Sequence, residues 1–186
     1  MKKKMISYVI VAIIAVIVGN FVLKGLYPLK YYDIVSENAA IYGIDPLFVM
    51  SIIKAESKFD ERARSHKDAI GLMQILEDTG EWCAEMMKLE SFTTADLYDP
   101  ETNIKIGVWY FNYLLRHFDG DYTVAAAAYN AGMGNVRKWF ENYEYSPDGE
   151  TLQKVPFLET SRYITKVLNN YKIYKALYGK KTLLSY

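Results

Sequence analysis

The chain has 186 residues, and Lys+Arg and Asp+Glu both number 22, so its formal net charge is zero. Apolar residues make up 51% and aromatics 15%, which excludes a disordered chain and suits one domain with a real core, while the balanced charge excludes a globally basic nucleic-acid binder. One cysteine, Cys83, and two histidines, His66 and His117, exclude an intrachain disulfide and leave a metal site or other cofactor without support.

The N-terminus stands apart. MKKKM leads into ISYVIVAIIAVIVGNFVL, an apolar run of the length a bilayer-spanning helix needs. The lysines before it are expected to hold that end in the cytoplasm, placing the rest of the chain outside. A cleaved signal peptide is the competing reading; the following GNFVLKGLYPLK lacks a small-x-small cleavage pattern, which favours an anchor. The expected organisation is a cytoplasmic stub over 1–4, a transmembrane anchor over 5–24, a juxtamembrane linker over 25–31 and a folded domain over 32–186.

The domain reads as helical almost throughout. A first helix is expected over Tyr32–Tyr42, stopped by Gly43. Asp45 then serves as N-cap with Pro46 at N1, opening PLFVMSIIKAE. Within that helix Glu56 shares a face with Val49, Ile52 and Ile53, whereas Ser51, Lys54 and Lys58 are expected to point elsewhere. An acid aimed at apolar neighbours is held neutral or needs a partner. After a looser stretch, GLMQILEDTGEWCAEMMK reads as a short helix, a turn and a further helix. Asp99-Pro100-Glu101 is the clearest start signal, opening NIKIGVWYFNYLLRHF with Ile104, Val108, Phe111 and Leu115 in one stripe. FDGDY is a turn. TVAAAAYNAG is a small-residue helix closed by Gly132, suited to close packing in the middle of the domain. Another helix starts in GNVRKWFENY, and ETSRYITKVLNNYKIYKAL forms a long amphipathic one. No strand pair is expected, so the domain is all-α with six to eight helices. Cys83 is expected to be a buried small hydrophobe, and the two histidines surface residues.

Five motifs follow one another in order: KAESKF, AIGLMQI, DLYDPETNIKIG, AAAAYNAG and VPFLETSRYITKVL. Together they resemble the lytic transglycosylases of the SLT family, whose catalytic domain is like goose lysozyme, and in particular the short membrane-anchored members. The resemblance covers about Tyr32 to Tyr178. It implies a lysozyme-like helical domain with a groove, acting on the glycan strand of peptidoglycan without a cofactor. It implies a single catalytic glutamate, matched by Glu56, and substrate contacts from Ser57, Ser65, Met73, Gln74, Tyr129, Asn130, Glu159 and Tyr163. Read without the resemblance, Met73 and Tyr129 are as readily core, Ser65 a loop-stabilising hydroxyl and Asn130 a helix-end cap. Departures from the family pattern are Asp68 where glycine is frequent, Leu76-Glu77 where Met-Pro is frequent, and Ser161 where arginine is frequent.

An ordinary glycosidase flanks the scissile bond with two carboxylates, and no second one is compelling here. Asp60 and Glu61 lie in the loop after the helix, and Asp119 and Asp121 read as turn and cap residues. The family mechanism the resemblance implies uses one acid. Glu56 protonates the bond between N-acetylmuramic acid and N-acetylglucosamine, then takes the proton from the C6 hydroxyl as that oxygen attacks C1. Tyr129 is expected to bond Glu56 or the acetamido group, with Gln74 and Asn130 on sugar amides and hydroxyls. A hydrolytic muramidase and a non-catalytic glycan-binding module are the rival readings. The partners expected are peptidoglycan and the bilayer, with no nucleic acid.

Overall fold

The computed structural model describes residues 2–182, and the elements are helical. They are α1 (Lys2–Leu26), α2 (Tyr32–Ile41), α3 (Pro46–Glu56), α4 (Glu77–Met86), a 3-10 turn over Thr94–Tyr98, α5 (Pro100–His117), α6 (Tyr122–Ala131), α7 (Met133–Phe140) and α8 (Leu158–Thr182). Extended pairing among the described residues is limited to the isolated bridges Arg64–Ile70 and Ile70–Ile75.

Helix α1 contains a 23-residue apolar stretch, Lys4–Leu26, of which nothing is buried against protein. At 1.5 Å per residue it spans roughly 35 Å, enough for a hydrocarbon core of about 30 Å. Water around so many exposed Val, Ile and Phe side chains is unfavourable, so this helix needs an apolar surrounding.

The domain is built around α3. Asp45 caps it by accepting the Leu47 amide at 2.9 Å, and Pro46 occupies the first position, where no N–H is needed. Nine of its eleven residues are buried. Ser51 is among them, contrary to the expectation that it lies off the apolar face. The physical reason is that α3 is enclosed on nearly every side rather than amphipathic. The Ser51 hydroxyl is satisfied locally by donating to the Phe48 carbonyl at 2.6 Å. Phe48 meets Phe111 of α5, Tyr122 of α6 and Tyr171 of α8 at centroid distances of 5.4, 4.7 and 5.2 Å. Each such buried side chain contributes on the order of 1.5–3 kcal/mol. Tyr171 and Lys175 of α8 also bond the free oxygen of the capping Asp45, at 2.7 and 3.1 Å.

Ala125–Ala128 of α6 are fully buried, so this helix packs closely against α5 and α8 and carries Tyr129 and Asn130 at its far end. Cys83 is buried and unoxidised, and His66 and His117 are exposed. GLMQ differs from its expected short helix. Residues 71–74 form a turn between Ile70 and Ile75, whose backbones exchange bonds of 2.9 and 3.0 Å. Gly71 and Gln74 both have positive φ, 76° and 50°, which no α-helix accommodates.

Candidate active site

The end of α3 delivers Glu56 to the junction of the GLMQ turn, the C-terminal end of α6 and the first turns of α8. The chain reverses immediately after it. Ser57 caps α3, and Lys58 and Phe59 both take left-handed conformations, at φ 54° and 69°. The Ser57 hydroxyl donates to the Leu72 carbonyl at 2.8 Å and accepts from the Phe59 amide at 3.1 Å. Ser57 therefore ties the Glu56 end of α3 to the GLMQ turn, and its bonding is taken up within the protein.

Glu56 is partly buried and forms no ion pair among the described residues. Burial pushes its carboxyl up from 4.5 to about 7, against a smaller downward pull from the Tyr163 hydroxyl and then the Lys166 ammonium. Lys166 is held by the Ala55 carbonyl, one residue before Glu56. Tyr163 comes from the second turn of α8. Its hydroxyl is buried and meets no acceptor at full hydrogen-bonding geometry, yet it stands beside the Glu56 carboxyl, and burial followed by that charge raises its own pKa well above 10. Because a donor favours the carboxylate, Tyr163→Phe is expected to raise the pKa of Glu56. The alkaline limb of kcat/KM then moves to higher pH, and a pH–rate profile that stays in place would place Tyr163 outside the site.

The GLMQ turn is held from α5. Asn103, buried, accepts the Met73 amide at 2.8 Å and donates to the carbonyls of Ile70 at 3.0 Å and Leu97 at 2.8 Å. A Cβ at Gly71 would clash with that same Asn103 side chain and the Leu97 carbonyl, so the turn closes only on glycine. Asn103 lies within DPETNIKIG but carries no chemistry of its own; its place immediately before the apolar stripe that begins at Ile104 was the available signal. The Met73 side chain is fully buried and lies against Gly107. What Met73 offers is its carbonyl, which accepts the Tyr129 hydroxyl at 2.8 Å. That hydroxyl is thus directed at the turn rather than at Glu56, and Tyr129 braces the turn from α6. Gln74 turns back on the loop, donating to Gly71 at 2.9 Å and Ala63 at 3.2 Å. Its side-chain oxygen makes no bond inside the described structure.

The Asn130 side-chain oxygen accepts the buried Thr160 hydroxyl at 2.7 Å, fastening α6 to α8 and leaving the amide nitrogen for a ligand. Ser65 organises its loop by accepting the Lys67 and Ala69 amides at 3.1 and 3.0 Å. Asp68, in the same loop, has φ 61°, the left-handed conformation that glycine adopts without cost. This explains glycine as the common residue there, and the Arg64 side chain anchors the aspartate at 2.9 Å. Glu159 is exposed and pairs with Lys67 at 3.6 Å. The structure thus brings Glu56, Tyr163, Tyr129, Asn130 and the GLMQ turn together, with Ser65 and Glu159 towards the rim.

A cleft lies next to Tyr129. Tyr110 of α5 lies 5.4 Å from the Tyr129 ring and lines this cleft, of about 420 Å³, with Asp78, Thr79, Trp82, Tyr113 and Met133. None of these was singled out from the sequence beyond the 15% share of aromatics. Their convergence depends on α4 packing against α5, where Trp82 meets Tyr113 at 4.9 Å. Aromatic faces flanked by an acid and a hydroxyl suit a saccharide ring.

Comparison with known proteins agrees with this architecture. The transglycosylase SLT domain family matches residues 33–151. The soluble lytic murein transglycosylase of Escherichia coli K12 is 34% identical over 88% of this chain and 26% of that protein. The membrane-bound lytic murein transglycosylase C of Edwardsiella ictaluri is 31% identical over 95% of this chain and 55% of its own length. The chain therefore spans about a quarter of the soluble relative and about half of the membrane-bound one. The crystal structure of the 70 kDa soluble lytic transglycosylase of E. coli superposes with a TM-score of 0.75 at 31% identity, over 84% of this chain and 26% of that one. An inactive glutamate-to-glutamine mutant of the Pseudomonas aeruginosa enzyme gives a TM-score of 0.73 at 28% identity, over 83% and 25%. With more than half of its length matched and the same helical fold, this chain belongs to the transglycosylase SLT domain family, as an all-α, lysozyme-like member preceded by an apolar helix.

Proposed function

We propose that the protein is a membrane-anchored lytic transglycosylase that cuts the β-1,4 bond between N-acetylmuramic acid and N-acetylglucosamine in peptidoglycan, leaving a 1,6-anhydro end. The observation that carries this reading is the Glu56 carboxyl, raised to about 7 by burial, unpaired, and at the meeting point of α3, α6, α8 and the GLMQ turn. Such a group is protonated in a useful fraction of molecules at neutral pH and is still able to act as a base.

Glu56 donates its proton to the glycosidic oxygen as the bond to C1 breaks. The acetamido oxygen of the same muramic acid stabilises the positive charge at C1. The Glu56 carboxylate, favoured at this point by Tyr163 and Lys166, takes the proton of the C6 hydroxyl, and that oxygen bonds to C1. The proton count is restored and no water is consumed. Asn130 Nδ2 and the Gln74 side-chain oxygen are positioned to hold sugar amides and hydroxyls, Ser57 and Met73 shape the turn behind them, and Ser65 and Glu159 border the strand. The cleft at Trp82, Tyr110 and Tyr113 seats a further ring. The relatives named as lytic murein transglycosylases, one of them membrane-bound, support the substrate and the reaction class.

Helix α1 crosses the cell membrane once, with Lys2–Lys4 on the cytoplasmic side and the catalytic domain outside. The test is the full chain in detergent with purified peptidoglycan. Products one water lighter than the hydrolysed disaccharide are expected from the native chain and none from Glu56→Gln. Products of full hydrolysed mass would instead make it a muramidase, and none at all a glycan-binding module.

A further inference from the structure

The stretch between anchor and domain, expected as a linker, is not free chain. The Tyr27 amide still bonds the Leu23 carbonyl at 2.8 Å, so the anchor helix runs into Tyr27 without a break. Tyr27 is in turn built into the domain. Its carbonyl accepts the Tyr178 hydroxyl at 2.8 Å, its hydroxyl reaches Asn170 at 3.4 Å, and its ring meets Tyr174 edge-on at 5.4 Å. The next carbonyl, Pro28, accepts the Tyr174 hydroxyl at 3.1 Å. Lys30 then bonds the Phe59 carbonyl at 3.5 Å, and the Tyr31 hydroxyl bonds the Glu61 carboxylate.

These contacts lead directly to the site. Asn170 also donates to the Ser51 carbonyl of α3 at 3.3 Å. Lys54, two residues before Glu56, places its ammonium 5.3 Å from the centre of the Tyr27 ring, and Phe59 follows Glu56 by three residues. The end of α3 that carries the acid is thus the end that rests on the anchor junction. Lys54 and Lys58 stand at this edge outside any salt bridge among the described residues, with Lys166 beside them bound to the Ala55 carbonyl and facing Glu56, while Asp60 and Glu61 lie on the Lys30 side.

The geometry points to a catalytic domain seated on its anchor as one body, so that Glu56 works at a fixed height beside the bilayer on glycan strands still attached to lipid through a diphosphate. This rests on the functional reading above and adds the form of the substrate. A domain on a flexible tether sweeps a volume and cuts wherever it meets a strand. A seated one cuts at one distance from the membrane, and Lys54 and Lys58, outside any salt bridge and next to the anchor junction, suit a phosphate-bearing strand.

The test reconstitutes the full chain into zwitterionic lipid vesicles that also carry lipid-linked, uncross-linked glycan strands, and measures the length of glycan left on the lipid. The native chain is expected to leave short remnants of narrow length distribution. Inserting 20 Gly/Ser residues between Leu26 and Tyr27 adds a tether of about 25 Å r.m.s. length and is expected to lengthen the mean remnant about twofold or more and broaden its spread. Remnants unchanged by the insertion would overturn the inference. Lys54→Gln with Lys58→Gln is expected to slow cutting of lipid-held strands several-fold more than of the same strands freed from the diphosphate; equal slowing removes the diphosphate from the proposal. If neither kind of strand is cut by any form of the protein, the functional reading itself falls.

Discussion

Glu56→Gln is expected to abolish strand cleavage and, at the same time, to make the protein more stable at pH 8. The two effects have one cause. Positioned general acid or base catalysis contributes on the order of 10²–10⁴-fold, and here one carboxyl serves in both capacities, so a loss of at least about 10³-fold is expected. The stability effect follows from linkage. An unfolded glutamate loses its proton near 4.5, whereas burial holds Glu56 to about 7 in the fold. Between those values the native state binds the extra proton, so stability falls as pH rises through this window. Below about pH 4.5 both states are protonated and there is no penalty. Above pH 7 the full cost of a desolvated carboxylate is present, up to about 3 kcal/mol for a shift of this size. Glutamine has the shape of the protonated acid and carries no charge, so it escapes that cost. Urea melts at pH 4 and pH 8 check the sign: the variant should match the native protein at the lower pH and exceed it at the higher one. The same ionisation predicts that kcat/KM of the native enzyme declines above about pH 7 with loss of a single proton. A Glu56→Gln protein less stable than native at pH 8 would show that the carboxylate is well paired, and the proposed acid would have no raised pKa to work with.

How far such arguments could be made from sequence depends on the range of the interactions. The starts of α3 and α5 were legible because Asp45-Pro46 and Asp99-Pro100 are local signals: cap, fixed φ and helix sit within a few residues. Glu56 was legible through its helical neighbours, also a local pattern. The GLMQ turn was not, because its shape is imposed by Asn103, some thirty residues on, and by left-handed backbone at Gln74, where side-chain type gives little warning. Nor was the direction of the Tyr129 hydroxyl, which depends on α6 passing behind that turn. Ser51 was misplaced because a one-sided helix pattern says nothing about how many neighbours a central helix acquires. The motif resemblance named the residues that converge, but it could not distinguish a side chain facing a ligand from one, like Met73, that offers only its backbone.

Asn103→Ala is expected to cost about 3–5 kcal/mol, more than any truncation of a rim residue such as Ser65 or Glu159, although Asn103 touches no substrate. Two buried main-chain groups, the Met73 amide and the Leu97 carbonyl, lose their partner together, and the Ile70 carbonyl keeps only the Ile75 amide. Each orphaned group costs about 1–3 kcal/mol. The Glu159–Lys67 pair, by contrast, is exposed on both sides, and such pairs are worth about 0–1 kcal/mol. Asn103→Asp tests the direction of the bonds. It keeps an acceptor for the Met73 amide but sets a carboxylate against two carbonyl oxygens, and should be no better than alanine. Because Met73 also receives the Tyr129 hydroxyl, slackening the turn frees Tyr129 and moves Gln74, so activity should fall in the fraction that remains folded. Thermal melts of both variants, with kcat and KM measured well below their midpoints, separate the two consequences. A variant that melts several degrees lower yet turns over strands at the native rate would mean that the turn supports the fold without positioning the site.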